Sequence, residues 1–170
     1  MRKPLAGTSL ALALLTGTAS AAMSLASADI KPNGPIPTAH IYPRCGGENV
    51  SPALSWSDAP GGTQSFVLTM IDVDVKPDKW SHWVVVGLPA SVRSMPHGAR
   101  PLPGGAKAVV SNFGDAAYAG PCPPKGTGVH HYEFTISLAD DEKATTLTEF
   151  LSKHALARAS LVGEVRAPAN

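Results

Sequence analysis

Asp72, Asp74, His82, His130 and Tyr132 are residues whose types and spacing suit chemistry. Asp72 and Asp74 share parity with Phe66, Leu68 and Met70. A strand that runs on through them turns both carboxylates toward the apolar face. Two acids there are costly to bury without partners. His82 opens the next apolar run. His130 and Tyr132 share parity on a third, with His131 facing the other way. At strand ends such residues can meet at one mouth; alternation permits this convergence and does not fix it. Four readings fit the cluster. Asp72, His82 and His130 are of the types that hold Zn²⁺, but tight zinc spacings such as H-E-x-x-H or paired C-x-x-C are missing. A serine hydrolase needs an activated Ser, and there is no G-x-S-x-G elbow. An anion pocket would use imidazoles, held charged by Asp, and the backbone N–H groups of a Gly-rich loop. The fourth is a satisfied structural polar network.

The elements that must position these residues read mainly as strands. Gln64–Ile71 is β-rich, with Phe66, Leu68 and Met70 alternating. His82–Leu88 is nearly all apolar, as in a strand covered on both faces. His131–Ala139 alternates, Tyr132, Phe134, Ile136 and Leu138 against His131, Glu133, Thr135 and Ser137. Weaker candidates are Ser24–Ile30, Thr38–Tyr42, Ala53–Trp56 and Ala106–Ser111. Turns fall at Pro32–Pro35, Pro60–Gly62, Pro101–Gly105 and Gly120–Gly128. One helix is expected near the end, about 147–162. Thr146-Leu147-Thr148-Glu149 fits a capping box. Leu147, Phe150, Leu151, His154, Ala155, Arg158 and Val162 follow helical spacing, with Gly163 to end it.

With 170 residues there is room for one domain. The 16 Gly and 16 Pro argue against a helical bundle. A net charge of +1, from 14 basic and 13 acidic residues, gives no basic excess for a phosphate backbone, so nucleic acid is not an expected partner. Residues 1–22 are expected to be a secretory signal peptide, with residues 23–170 the single domain. Arg2 and Lys3 precede an apolar stretch from Leu5 to Ala19, and Ala19-Ser20-Ala21 gives an A-x-A cleavage pattern. Ala26-Ser27-Ala28 is a second such pattern. The weakly hydrophobic second half of the uncharged run favours cleavage over a membrane anchor. A secreted or periplasmic location makes Cys45 and Cys122 an expected disulfide. Closing so long a loop would stabilise by ~4–5 kcal/mol in the chain-entropy model.

The chain resembles the phosphatidylethanolamine-binding protein family, also called Raf kinase inhibitor-like proteins, in its bacterial exported branch. The resemblance runs from about Met23 to Arg166. It is carried by Gly47-Glu48-Asn49-Val50-Ser51-Pro52-Ala53-Leu54-Ser55-Trp56, Asp72-Val73-Asp74, Trp80-Ser81-His82-Trp83-Val84-Val85, Tyr118-Ala119-Gly120-Pro121-Cys122-Pro123-Pro124-Lys125-Gly126 and His130-His131-Tyr132. Met23-Ser24-Leu25 resembles the family's first strand, which favours cleavage near Ala21 or Ala22. The resemblance implies a Greek-key β-sandwich with peripheral helices and a pocket for phosphate-like or carboxylate groups, phosphoethanolamine heads included. It assigns Asp72 and Asp74 to the family's D-P-D-A-P motif, His82 to the pocket histidine, Pro123 and Pro124 to the rim with Cys122 beside them, and His130 and Tyr132 to the H-x-Y pair.

This chain departs from the family in one motif, where D-P-D-A-P reads Asp72-Val73-Asp74-Val75-Lys76, without either proline. Lys76 also brings a cation near the acids. The loop that is long in animal members is short here, Pro77-Asp78-Lys79, so kinase contacts are not carried over. The expectation is a non-catalytic exported binding protein with no cofactor and no bound metal. It would take a small anionic or phosphorylated ligand and keep no transmembrane anchor after processing. The alternative is a protein-interaction module that inhibits a kinase or protease. A hydrolase or metalloenzyme using the Asp/His cluster stands third.

Overall fold

The computed structural model of the protein describes residues 22–139 and 157–170. Its strands are β1 (Ser24–Ser27), β2 (Gly34–Pro35), β3 (Leu54–Ser57), β4 (Ser65–Asp72), β5 (Trp80–Pro89), β6 (Ser94–Met95), β7 (Lys107–Ala108), β8 (Val129–Ala139) and β9 (Arg158–Arg166). One sheet has the order β1-β3-β6, the other β2-β9-β8-β4-β5-β7. The helical parts among the described residues are short 3₁₀ turns at Thr38–His40, Pro43–Cys45 and Pro103–Gly105. The protein is mainly β, as its Gly and Pro content and its alternating runs imply. No described helix is long and apolar enough to cross a membrane.

The two sheets share one core. Leu25, Leu54, Trp56 and Met95 from the smaller sheet join Phe66, Leu68, Met70, Trp83, Phe134 and Ile136 from the larger. Trp56 meets Phe66 edge to face, ring centroids 5.7 Å apart. Such a pair adds roughly 0.5–1.5 kcal/mol beyond the area it buries.

The three central strands set up the site. β4 is antiparallel to both β5 and β8. Its C-terminal end therefore lies beside the N-terminal ends of both neighbours. Asp72 stands opposite Trp80 on β5 and Tyr132 on β8. β5 also carries an extra residue against β4, since Met70 pairs with Trp83 but Ile71 with Ser81. His82 is that bulged residue. A bulge aims two successive side chains toward one side of the strand. It thus lets His82 reach the Asp72 cluster while Trp83 stays in the core, which simple alternation forbids.

Three expected elements are corrected. Arg158–Val162, the end of the expected helix, is strand β9, paired with β8 from Arg166↔Val129 to Arg158↔Ser137. Buried Ala159, Leu161 and Gly163 alternate with less buried neighbours, a period of two that the helical spacing of Arg158 and Val162 obscured. Gly163 ends no helix. A Cβ on it would lie 2.6 Å from Ile36 Cγ1 and 3.0 Å from Ile30 Cγ2, so it is glycine because two isoleucines pack against its backbone. The capping box at Thr146–Glu149 and His154 lie outside the described residues. Thr38–Tyr42 is a 3₁₀ turn followed by loop, and only Lys107–Ala108 of the Ala106–Ser111 candidate is strand. Expected residues 1–21 of the leader are likewise outside the description.

Cys45 and Cys122 form a disulfide, Cα atoms 5.5 Å apart. Beside it the Tyr42 N–H donates to the Pro121 carbonyl at 3.0 Å. The bridge ties the 3₁₀ turn at Pro43–Cys45 to the Pro121–Pro124 segment that borders the site.

Candidate functional site

At the joined strand ends Asp72 is buried, and its two oxygens have different tasks. Oδ2 lies 2.6 Å from His130 Nδ1. Oδ1 accepts the Asp74 N–H at 3.0 Å. The second contact is a side-chain-closed turn, and Val73 N–H donates to the His131 carbonyl at 3.1 Å. Together they hold the segment in which this chain lacks the two prolines of the family motif. The Lys76–Pro77 peptide that follows is cis. Lys76 makes no ion pair with either acid among the described residues; its Nζ meets the Val73 carbonyl at 3.4 Å.

His130 is engaged at both nitrogens. Nε2 lies 2.9 Å from Thr127 Oγ1, and that hydroxyl donates to the Pro124 carbonyl at 2.6 Å. With its proton so committed, Thr127 presents a lone pair to Nε2, and Nε2 is the donor. A second proton then lies in the 2.6 Å contact between Nδ1 and Asp72. Thr127 has no motif in the sequence to reveal it. Its part follows from the turn that begins at Pro124. Pro123 is buried and Pro124 exposed, and the carbonyl of Pro124 does the work here.

Asp74 is exposed and serves the other face. Its Oδ2 accepts from the His131 backbone N–H at 2.7 Å and the His131 Nδ1 at 2.8 Å. Burial pushes the Asp74 carboxyl up, but these His131 contacts outweigh it and its pKa falls below the ordinary 3.8. The expected split between His130 and Tyr132 on one face and His131 on the other is observed. Asp74 leaves the pocket group with His131.

His82 is buried. Its Nδ1 donates to the Ala119 carbonyl at 2.9 Å. That carbonyl is held in place because Asn49 clamps its neighbours: Asn49 Nδ2 donates to Tyr118 O at 3.2 Å and Asn49 Oδ1 accepts the Gly120 N–H at 2.7 Å. Gly120 must be glycine, as a Cβ would stand 2.2 Å from the His40 carbonyl oxygen. Burial lowers the His82 pKa below 6.5, outweighing the attraction of Asp72 and the carbonyl contact. Asp72 does favour the charged ring, as expected, but burial is the larger effect.

Tyr132 is fully buried, and its hydroxyl has no hydrogen-bond partner. Asp72 is near enough to act on it by charge and as a weak acceptor, but the contact falls short of good hydrogen-bond geometry. Burial first, and then that carboxylate, raise the phenol's pKa and keep it protonated. The His82 ring stands edge-on to Tyr132, centroids 5.1 Å apart. Phe113 covers the same imidazole at 4.8 Å and touches Tyr42 and Trp80. Phe113 is placed because Asn112 binds Ser81 through both side chains and backbone: Asn112 Oδ1 accepts the Ser81 hydroxyl at 2.6 Å and the Ser81 N–H at 2.8 Å. An open cleft of about 660 Å³, with Trp83 and Tyr118 among its lining residues, contains none of the predicted site residues.

A two-sheet β protein with a buried Asp–His pair, a second imidazole and a protonated phenol at the joined ends of three central strands is the class these features define. The sequence profile of phosphatidylethanolamine-binding proteins matches residues 26–166, and the chain belongs to that family. It is 40% identical over 141 residues to the UPF0098 protein YbcL of Escherichia coli K12, covering 78% of this chain and 77% of that protein. YbhB of the same organism is 40% identical over 128 residues, 71% of this chain and 80% of that one. The crystal structure of E. coli YbcL, described as a new member of the mammalian family, superposes with a TM-score of 0.79 at 32% identity, covering 88% of this chain and 100% of that chain. A homologue from Chlamydia trachomatis gives 0.71 at 33% identity, with 85% and 97% covered.

Proposed function

We propose that the protein is a non-catalytic, exported binding protein whose pocket takes a small anion: phosphate, a carboxylate or a phosphoethanolamine-like head group. The observation that carries this is the buried Tyr132 hydroxyl, which has no hydrogen-bond partner of good geometry among the described residues. Leaving such a group unpaired costs roughly 1–3 kcal/mol, which a ligand oxygen recovers. His82 supplies a second donor. With Nδ1 committed to Ala119, its Nε2 remains for a ligand and must gain a proton to donate to it. His130 and Asp72 form the base of the pocket and satisfy one another there. Pro123 and Pro124 border it through the Thr127 turn.

Acid, imidazole and hydroxyl stand in the order Asp72, His130, Thr127, as in nucleophilic hydrolases. The polarity argues for binding instead, because Nε2 donates to Thr127 and does not face its proton. The disulfide and the basic-then-apolar start of the chain support export.

Calorimetric titration with a sulfonate, whose charge is constant from pH 5.5 to 8, tests the reading. Saturable binding that weakens in Tyr132→Phe and His82→Ala is expected. Heat no different from dilution at millimolar ligand would sink the anion pocket. A second reading, docking of a protein partner, rests on Trp80, Val109 and Val110, the large apolar side chains left exposed among the described residues. Mass spectrometry of material co-purifying with the protein separates the two.

A further inference from the structure

We infer that Asp29, His40 and His97 form a site for a divalent transition-metal ion of the Zn²⁺ class, separate from the Asp72 cluster. Asp29 Oδ2 lies 3.1 Å from His97 Nδ1 and 3.7 Å from His40 Nε2, and the three ligand atoms all fall within 4.8 Å of one another. An ion about 2.0–2.2 Å from each nitrogen and oxygen spreads its ligands over roughly this separation.

Topology brings the three residues together. β1 and β6 are both antiparallel to β3, and they flank it. They therefore run parallel to each other and leave the sheet at the same end. Asp29 follows β1 and His97 follows β6, so both arrive at the start of β3. There the Ala53 N–H donates to Asp29 Oδ2 at 2.6 Å and aims the carboxylate. The Gly98 N–H, donated to Ser51 O at 2.9 Å, fixes the segment that bears His97.

His40 gives the sharpest indication. It is buried, 1% exposed, and its Nδ1 lies 2.7 Å from the Val50 carbonyl. A carbonyl only accepts, so Nδ1 carries the proton. In the neutral ring Nε2 is then a lone pair, 3.7 Å from a carboxylate oxygen. A cation between two such acceptors satisfies both. A backbone carbonyl that fixes the tautomer while the other nitrogen faces outward is the usual support of a metal-bound histidine. His97, with its side chain 53% exposed, opens the site to solvent and leaves an approach and a further coordination position. Two imidazoles with one carboxylate suit Zn²⁺, Co²⁺, Ni²⁺ or Cu²⁺. Ca²⁺ and Mg²⁺ prefer all-oxygen sets.

The test is calorimetric titration of the chelator-stripped protein with ZnCl₂ at neutral pH. One equivalent should bind, and His97→Ala and Asp29→Asn should each weaken it by roughly 10- to 100-fold. His131→Ala, in the exposed cluster with Asp74 and Glu164, should leave it unchanged. In the wild type, imidazole resonances of His40 and His97 should shift as Zn²⁺ is added, a readout that does not depend on any variant folding. No saturable binding, binding lost only in His131→Ala, or His40 and His97 resonances that stay fixed would each overturn the site.

Discussion

Asp72 and Tyr132 stand directly opposite one another on adjacent strands, yet the Tyr132 hydroxyl does not meet the carboxylate in good hydrogen-bond geometry. The carboxylate is already occupied, Oδ2 by His130 and Oδ1 by the Asp74 N–H. The phenol is a donor held in reserve. Tyr132→Phe should therefore raise the melting temperature, by an amount corresponding to about 1 kcal/mol, while it weakens sulfonate binding. Thermal melts paired with calorimetry check both. A variant that loses stability would place the hydroxyl in the protein's own hydrogen bonding.

His82 sets the pH dependence. It faces Asp72, His130, Tyr132 and the Ala119 and Gly120 backbone. Its folded pKa is below the ordinary 6.5, because burial disfavours the charged ring. The unfolded chain then binds more protons as pH falls through that value. Stability from this group is complete above about pH 6.5 and declines below it, until pH passes the lower folded pKa. Denaturant melts from pH 8 to 5 should show the decline, and His82→Gln should flatten it. An anion that needs the charged ring must bring a proton with it. Affinity should fall as pH rises, and the binding heat should vary with the buffer's ionisation enthalpy. Equal heats in buffers of different ionisation enthalpy would remove the proton from the reaction.

The disulfide between Cys45 and Cys122 closes a loop of 77 residues. Denatured, unreduced protein should contain no titratable thiol from this pair. Reduction should lower stability by about 4–5 kcal/mol in the chain-entropy model. Thiol titration and denaturant melts with and without reductant measure the two effects. Two reactive thiols in freshly purified, oxidised material would refute the bridge.

Gly163 is the position where β9 meets the isoleucines that flank β2. Gly163→Val should destabilise by roughly 1–3 kcal/mol, the usual cost of overpacking a core, since Ile36 and Ile30 already stand within 3.0 Å of the added Cβ. Ile36→Ala should recover part of that loss in the double variant. Additive losses in a double-mutant cycle would show that the two residues do not share the space.

Much of the fold was legible in the residues. β4, β5 and β8 appeared as apolar or alternating runs because a buried strand must fill its inner face, and that pattern is local. The side chosen by His130, Tyr132 and His131 also followed from parity alone. The motifs carried the family, since Asn49 is needed for its side-chain amide and Gly120 for its lack of a Cβ. Where a residue's neighbours come from distant segments, only the tertiary structure decided. Arg158 and Val162 fit a helical spacing locally, but pairing along β8 overrode it. The bulge at His82 broke the alternation that parity assumes. Thr127 and Phe113 reach the site through turns held by Pro124 and Asn112. Asp29 and His97 lie 68 residues apart in the chain and meet because β1 and β6 leave the small sheet at the same end. Local sequence fixes which backbone shape is cheap; which side chains then share a few ångströms depends on strand order and register, set by the packing of the whole core.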